Sequence, residues 1–363
     1  MGEAYTKTSG VAGIKQSPPV DLSKPYDVNW VKGKHVLVTG GASGFGYGFC
    51  QKWANAGASI IIADINTKTG SQAAIDLKKE TGNENIHFVH CDVTDWQSQA
   101  ALFKEAARLS RHGGIDCVVA NAGIAGKEPM HDFDKKLDVA EPPKPNLAVV
   151  NVNLVGVLYT TYLALWWLEK NPGSKPCSPG TDPATNKRDR HILLVGSIAS
   201  LGPIVSQPLY GVSKHGVLGL FRTLRASAML EGVRVNAIFP YFIETPILDA
   251  GARAVLAGGG MGKPEDVVDA ASRLVADSSI LGRGLCIGPK CKVKQQEDGE
   301  WVVVSKESAG EERAIWEAYA DDFEDTELFT QRLIKVLNGV VGMRGWIGMF
   351  KDLFGAAKYG IFG

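Results

Sequence analysis

Tyr210-Gly211-Val212-Ser213-Lys214 sets a phenol and an amine four residues apart, which puts both on one face of a helix. Ser197 stands upstream, at the end of the apolar run HILLVGS. Oxidising an alcohol requires its hydroxyl proton to leave as a hydride departs from the carbon. A free tyrosine, with a pKa of about 10, is a poor base near neutrality. A lysine cation beside it favours the phenolate and lowers that value, and a serine at a strand end can hold the reacting oxygen. A Tyr-x-x-x-Lys pair alone recurs by chance on many helices. The reading therefore rests on what accompanies it.

Thr39-Gly40-Gly41-Ala42-Ser43-Gly44-Phe45-Gly46 directly follows the apolar run HVLVT and opens a helical stretch. Glycines there let the backbone turn sharply and approach a pyrophosphate, and the helix N-terminus turns its free N–H groups and positive dipole end toward the phosphates. Gly40, Ser43, Gly44, Phe45 and Gly46 are the expected cofactor contacts of this loop. The next apolar run ends at Asp64, about 20 residues further on, where an acidic group accepts hydrogen bonds from ribose hydroxyls and repels a 2′-phosphate. No Arg or Lys stands in the glycine loop or directly after Asp64, so NAD is expected over NADP. Asp92, with Val93, closes a third run. It reaches toward an adenine amino group or, with Thr94, caps the following helix. Asn121-Ala122-Gly123 closes a fourth, its small residues allowing close approach of backbone and cofactor.

Six short runs rich in β-branched residues position these groups: HVLVT, SIIIAD, IHFVHCD, IDCVVANAG, HILLVGS and VRVNAIFP. Segments of helical period separate them. That rhythm gives α/β architecture, a Rossmann-type doubly wound parallel sheet with helices on both faces. Residues 1–33 form an N-terminal arm, lying over the domain or partly disordered. Residues 34–289 form the NAD-binding catalytic domain, with a Pro/Gly/Ser-rich surface insertion at 172–190 read as inert. Residues 290–363 form a C-terminal extension: a hairpin turning at Asp298-Gly299, then mostly helix, including the segment from Glu311.

Net charge is zero, with 39 basic and 39 acidic residues, which offers no electrostatic case for nucleic acid. Six cysteines without a C-x-x-C pair argue against a disulfide framework or a zinc site, and no metal is expected. The first ten residues lack the apolar core of a signal peptide, and no uninterrupted apolar run reaches the roughly 20 residues of a membrane span. A cytoplasmic protein is expected. The apolar tail from Gly342 packs on its own domain or a sister subunit; the alternative is peripheral contact with a membrane surface.

From about Gly33 to Gly288 the chain resembles the short-chain dehydrogenase/reductases. The resemblance rests on TGGASGFG, Asp64, CDV, NAG, the NVNLVG run, GSIAS, YGVSK and NAIFP. It implies that Asn153 holds a water through its helix backbone in a proton relay, and that Lys214 also binds the nicotinamide ribose. It further implies that Pro240, Ile243 and Thr245 line the carboxamide, and that two long helices build a homodimer or homotetramer. Within the superfamily the chain is similar to the 15-hydroxyprostaglandin and fungal hydroxyaverantin dehydrogenases, through QPLY, SKHG and NAIFP. This makes Gln207 a candidate for binding the substrate hydroxyl, beside the plainer reading of a loop-capping Gln. Tyr241 departs from the family, which usually has Gly after that proline, and is expected to crowd the nicotinamide pocket or reshape its substrate side.

The expectation is thus NAD-dependent oxidation of a secondary alcohol on a lipophilic small molecule. Tyr210 is the base, and Ser197, Gln207, Tyr210 and Tyr241 meet the substrate. The alternatives are ketone reduction or a non-redox step in the same site, or a non-catalytic NAD-binding protein.

Overall fold

The computed structural model describes residues 16–126, 141, 144–244, 260–297, 301–305 and 307–319, with isolated helical positions at 336, 339 and 343. The expected doubly wound sheet is present. Its strands are β1 (His35–Thr39), β2 (Ser59–Asp64), β3 (Ile86–His90), β4 (Cys117–Ala120), β5 (His191–Val195), β6 (Arg234–Pro240) and β7 (Gly284–Gln295). They pair in parallel in the order β3-β2-β1-β4-β5-β6-β7. β1, β4, β5 and β6 are buried along their whole length, because helices cover both faces, and this is why they read as continuous apolar runs. The helices are α1 (Gly44–Asn55), α2 (Thr67–Thr81), α3 (Trp96–Leu109), α4 (Ala148–Glu169), α5 (Pro208–Ser227) and α6 (Pro264–Ala276). Strand order reverses between β1 and β4, so a crevice opens beyond their carboxyl ends.

α4 is long and apolar enough, by length and composition, to cross a membrane, although Asn151, Asn153, Thr160 and Thr161 interrupt its apolar run. Here it is a domain helix that buries Val157, Leu163, Ala164 and Leu168.

Beyond residue 289 the chain departs from expectation. β7 runs through that boundary and pairs antiparallel with β8 (Trp301–Val303) and β9 (Glu311–Ala318). The hairpin is as expected, while its Asp298-Gly299 turn lies outside the described residues. Glu311–Ala318, expected as helix, is strand. Its Glu and Ala favour helix locally, but β7 offers an open row of backbone donors and acceptors, and tertiary pairing overrides a propensity worth tenths of a kcal/mol per residue. The compact unit runs from Gln16 to Ala318. The apolar tail, Met343 apart, also lies outside the described residues.

Residues 16–33, expected as an arm, belong to this unit. The Ser17 N–H donates to the Leu281 carbonyl (3.2 Å), and the Tyr26 hydroxyl donates to Asp269 Oδ1 (2.8 Å). Arg283 Nε donates to the Ser17 carbonyl (2.8 Å).

The 172–190 insertion is not an inert loop. Its last residues enter the amino-terminal end of the sheet, opposite the crevice. Arg188 pairs with Asp116 (2.7 Å), and Asp189 pairs with both Lys34 (3.0 Å) and Arg234 (2.8 Å). Asp189, Lys34 and Arg234 are fully buried. Burial alone would raise the Asp189 carboxyl, but Arg234 and Lys34 hold it far below the ordinary carboxylate range. The composition of the loop disguised this, because one buried aspartate among many exposed polar residues leaves no pattern. Replacing Asp189 with Ala strands two buried cations and should cost about 3–5 kcal/mol. Lys187→Ala, on the exposed part of the same loop, should change stability by less than about 0.5 kcal/mol. Urea unfolding of the two variants checks this; equal effects would mean the ion cluster contributes nothing.

Candidate active site

Close backbone approach sets the geometry at the crevice. Gly40 has φ +63°, and a Cβ there would lie 2.8 Å from Ala122 Cα. A Cβ on Gly46 would collide with the Gly40 carbonyl oxygen. Only glycine satisfies both positions, so α1 begins pressed against the turn. Ser43, at its N-cap, makes no capping bond with its side chain, which leaves the first N–H groups of the helix turned to the loop. Phe45, in the first turn, packs against the apolar core. Gly44, at φ +54°, has open space where a side chain would be.

Asp64 ends β2 beside this turn. Its Oδ2 accepts from the Ala42 N–H (3.2 Å) and its Oδ1 from the Asn66 N–H (3.0 Å). Asp92 takes the Thr94 N–H (2.9 Å) and hydroxyl (2.7 Å). It does not cap α3. Asp95 does, through the Gln97 N–H (2.9 Å), since only Asp95 directly precedes the first helical turn. The Asn121 amide donates to the carbonyls of Thr39 (2.9 Å) and Gly40 (3.0 Å). The Thr39 hydroxyl receives the N–H groups of Asn121 and Ala122 (3.1 and 3.2 Å). Thr39 is not among the residues expected at the site.

Asn153, fully buried, lies in a π-turn (Asn151–Gly156) within α4. Its Oδ1 accepts from the Ile124 N–H and its Nδ2 donates to the Ile124 carbonyl, both at 2.8 Å. A π-turn is rare and frequent at functional sites. Gly123 lies against it: a Cβ there would be 3.4 Å from Asn153 Oδ1 and 3.8 Å from Lys214 Nζ.

Ser197 is the N-cap of a short 3-10 turn after β5, its Oγ accepting from the Ala199 N–H (3.2 Å). Ser200 Oγ accepts from the Ser197 N–H (3.2 Å) and donates to the Lys214 carbonyl (2.7 Å), tying the strand end to α5. Ser200 is not among the expected site residues, although Ser-x-x-Ser is a capping-box spacing. Ser197 also hydrogen-bonds the Tyr210 phenol, which lowers its pKa. The larger effect is burial, which raises it. The lowering expected from Lys214 is therefore not the balance here. Lys214 is itself buried, its Nζ 5.7 Å from the Tyr210 ring centre and donating to the Val195 carbonyl (3.1 Å). Burial brings its pKa down to about 8. Each group, taken out of water, resists its own charged form.

Gln207 makes no capping bond to α5. Its amide extends to the Gly126 carbonyl at 3.5 Å, the outer limit of a hydrogen bond. Pro240 ends β6, and Ile243 is buried and bridges to Gly262. Tyr241 is partly exposed, its N–H held by the Ile287 carbonyl (2.7 Å) and its ring edge-on to Phe242. Thr245 lies outside the described residues. Ile124, Val205 and Tyr241, on the segments following β4, β5 and β6, expose apolar surface, Val205 to 88%. No metal-holding group of His, Cys, Asp or Glu occurs among the described residues.

The glycine turn, the uncapped α1 and Asp64 fit a nicotinamide dinucleotide. The model of the short chain dehydrogenase family matches residues 34–254. The 5′-hydroxyaverantin dehydrogenase of Dothistroma septosporum is 34% identical over 77% of this chain and 92% of its own length. Human 15-hydroxyprostaglandin dehydrogenase (NAD(+)) is 32% identical over 61% of this chain and 72% of its own. A dehydrogenase of Phoma sp., named as NADP-dependent, is 32% identical over 75% and 80%. The 3-ketoacyl-(acyl-carrier-protein) reductase of Brucella melitensis, solved with NADH, superposes with a TM-score of 0.57 at 25% identity, covering 70% of this chain and 97% of that one.

The low pKa of Lys214 has a consequence for the ligand-free protein. Between about pH 8 and 10 the unfolded chain carries this proton and the folded one does not, so stability rises with pH across that window. Denaturant unfolding at stepped pH should show the rise, and Lys214→Met should flatten it. A parent profile that is already flat would contradict the assignment.

Proposed function

Because the chain belongs to the short-chain dehydrogenase family, an oxidoreductase family that uses a nicotinamide cofactor, we propose that it oxidises a secondary alcohol on a lipophilic small molecule to the ketone, with NAD as cofactor. The convergence of Ser197 and Lys214 on Tyr210, with Gly123 close to Lys214, carries this reading. The bound cofactor supplies the hydride acceptor. The chain does the rest. The Ser197 hydroxyl orients the substrate oxygen, and the Tyr210 phenolate takes the hydroxyl proton as the carbon–hydrogen bond breaks. The Lys214 ammonium stabilises that phenolate and also holds ribose hydroxyls. Asn153, through the carbonyls of its π-turn, holds the water that passes the proton outward. Asp64 favours NAD because it faces the glycine turn, where a 2′-phosphate would meet a carboxylate. Asp92, Val93, Asn121, Ala122, Gly123, Pro240, Ile243 and Thr245 complete the cofactor contacts. The exposed apolar side chains Ile124, Val205 and Tyr241, with Gln207 reaching across toward Gly126, support a lipophilic substrate bearing one hydroxyl.

Oligomerisation is part of the same reading. α4 exposes Leu158, Tyr162 and Trp166, and α5 exposes Val212. A groove of about 600 Å³ lined by Trp96, Leu158, Tyr162, Leu220 and Leu224 runs beside them. A homodimer or homotetramer would cover this face, in the cytoplasm.

Tyr210→Phe should bind NADH as the parent does, by fluorescence, and lose at least about a thousandfold in kcat; near-normal turnover would remove Tyr210 from the chemistry. Asp64→Ser should narrow the preference for NAD over NADP by at least about tenfold, since one ionised hydrogen bond is worth about 1.5–3 kcal/mol. A parent that prefers NADP would contradict the cofactor assignment. Tyr162→Glu should shift the assembly toward smaller species in light scattering; an unchanged mass would move the interface elsewhere.

A further inference from the structure

α3 presents Gln99, Leu102, Phe103, Ala106 and Ala107 to the interior, an apolar face at helical spacing with one amide in it. Gln99 is fully buried. Such an amide is costly unless its hydrogen bonds are made, and here they are. Nε2 donates to the Val93 carbonyl (2.7 Å) and to the Gly156 carbonyl (2.9 Å), and Oε1 accepts from the Thr160 hydroxyl (2.8 Å). The single Thr160 proton is shared between Gln99 Oε1 and the Gly156 carbonyl, which also lies 2.8 Å from the hydroxyl.

Gly156 is the last residue of the π-turn. The turn also packs directly on the loop after β3, since a Cβ on Gly156 would lie 2.9 Å from Val93 Cγ2 and 3.1 Å from the Val93 carbonyl oxygen. At the other end of the turn, Asn153 grips the backbone of Ile124. One chain of contacts thus runs from Val93 through Gln99 and the π-turn to Asn153 and the loop after β4.

We infer that Gln99 is a positioning residue for the reaction, its amide clamping the π-turn against the β3 loop and so fixing Asn153. An apolar side chain would fill the space, but it would remove the one amide that donates to both the Val93 and the Gly156 carbonyls. The inference rests on the reading that Asn153 serves the proton relay.

The test uses the intact chain without ligand, so the clamp is read independently of whether the site oxidises alcohols. In Gln99→Met, which keeps the volume and removes the hydrogen bonds, amide hydrogen exchange across Asn151–Val157 and at Ile124 should quicken about tenfold, with α5 unchanged. Unchanged exchange, or a loss of protection spread equally over α5, overturns the inference. Gln99→Glu supplies a second arm. Its carboxyl donates only when protonated, so protection of the π-turn relative to the parent should fall as pH rises; a ratio independent of pH counts against the clamp. In turnover of 2-octanol with NAD, Gln99→Met should lower kcat about tenfold with KM for the alcohol little changed, as expected of a small misplacement. Unchanged kcat despite lost protection would reduce Gln99 to a stabilising residue and overturn its positioning role. Retained turnover in Tyr210→Phe would instead sink the dehydrogenase chemistry and leave the clamp standing.

Discussion

The Asn121 side chain holds the sheet together at the point where its strand order reverses. Its amide donates to the carbonyls of Thr39 and Gly40, so the end of β4 cannot drift from the glycine turn after β1. Everything at the crevice takes its position from that junction. Gly46 can press on Gly40 only because the turn is pinned. Gly123, two residues along from Asn121, lies within contact of both Asn153 and Lys214. A crevice at a reversal of strand order opens because neighbouring helices cover opposite faces there. Without a cross-brace it would be the least constrained part of the sheet, and the site needs it to be among the most constrained.

The two ends of the sheet handle buried charge differently. At the amino-terminal end, Asp189 meets Lys34 and Arg234, and Asp116 meets Arg188. Opposite charges satisfy one another, and the carboxyl of Asp189 stays ionised despite complete burial. At the carboxyl end, Lys214 is buried, donates to the Val195 carbonyl and has its pKa drawn down to about 8. The first arrangement contributes to the fold. The second keeps a cation in reserve beside a phenol that burial holds protonated, a strain that fits a reacting centre.

The placement of the candidate site residues was largely legible in residue order. The glycine turn, Asp64, Ser197 and the Tyr210–Lys214 pair each stand at a strand end or on one helical face, and local spacing carries that information. Less legible were groups whose role depends on a distant partner. Gln99 sits alone among apolar positions of α3, a signal that could have been weighed. Asp189 is hidden in a loop of similar composition. The Glu311–Ala318 strand reads as helix because its residues favour one, and only the open edge of β7 makes it a strand.

The residue order by itself determined the alternation of buried strands and amphipathic helices, and with it the doubly wound sheet. It also determined which side chains stand at the strand ends, since periodicity and glycine placement are properties of neighbouring residues. Tertiary structure alone decided the balance of charge at Tyr210 and Lys214, the anchoring of the insertion and the clamping of the π-turn by Gln99. These depend on how far water is excluded and on which carbonyls lack partners. Both are fixed by segments far apart in the chain, which meet only once the protein has folded.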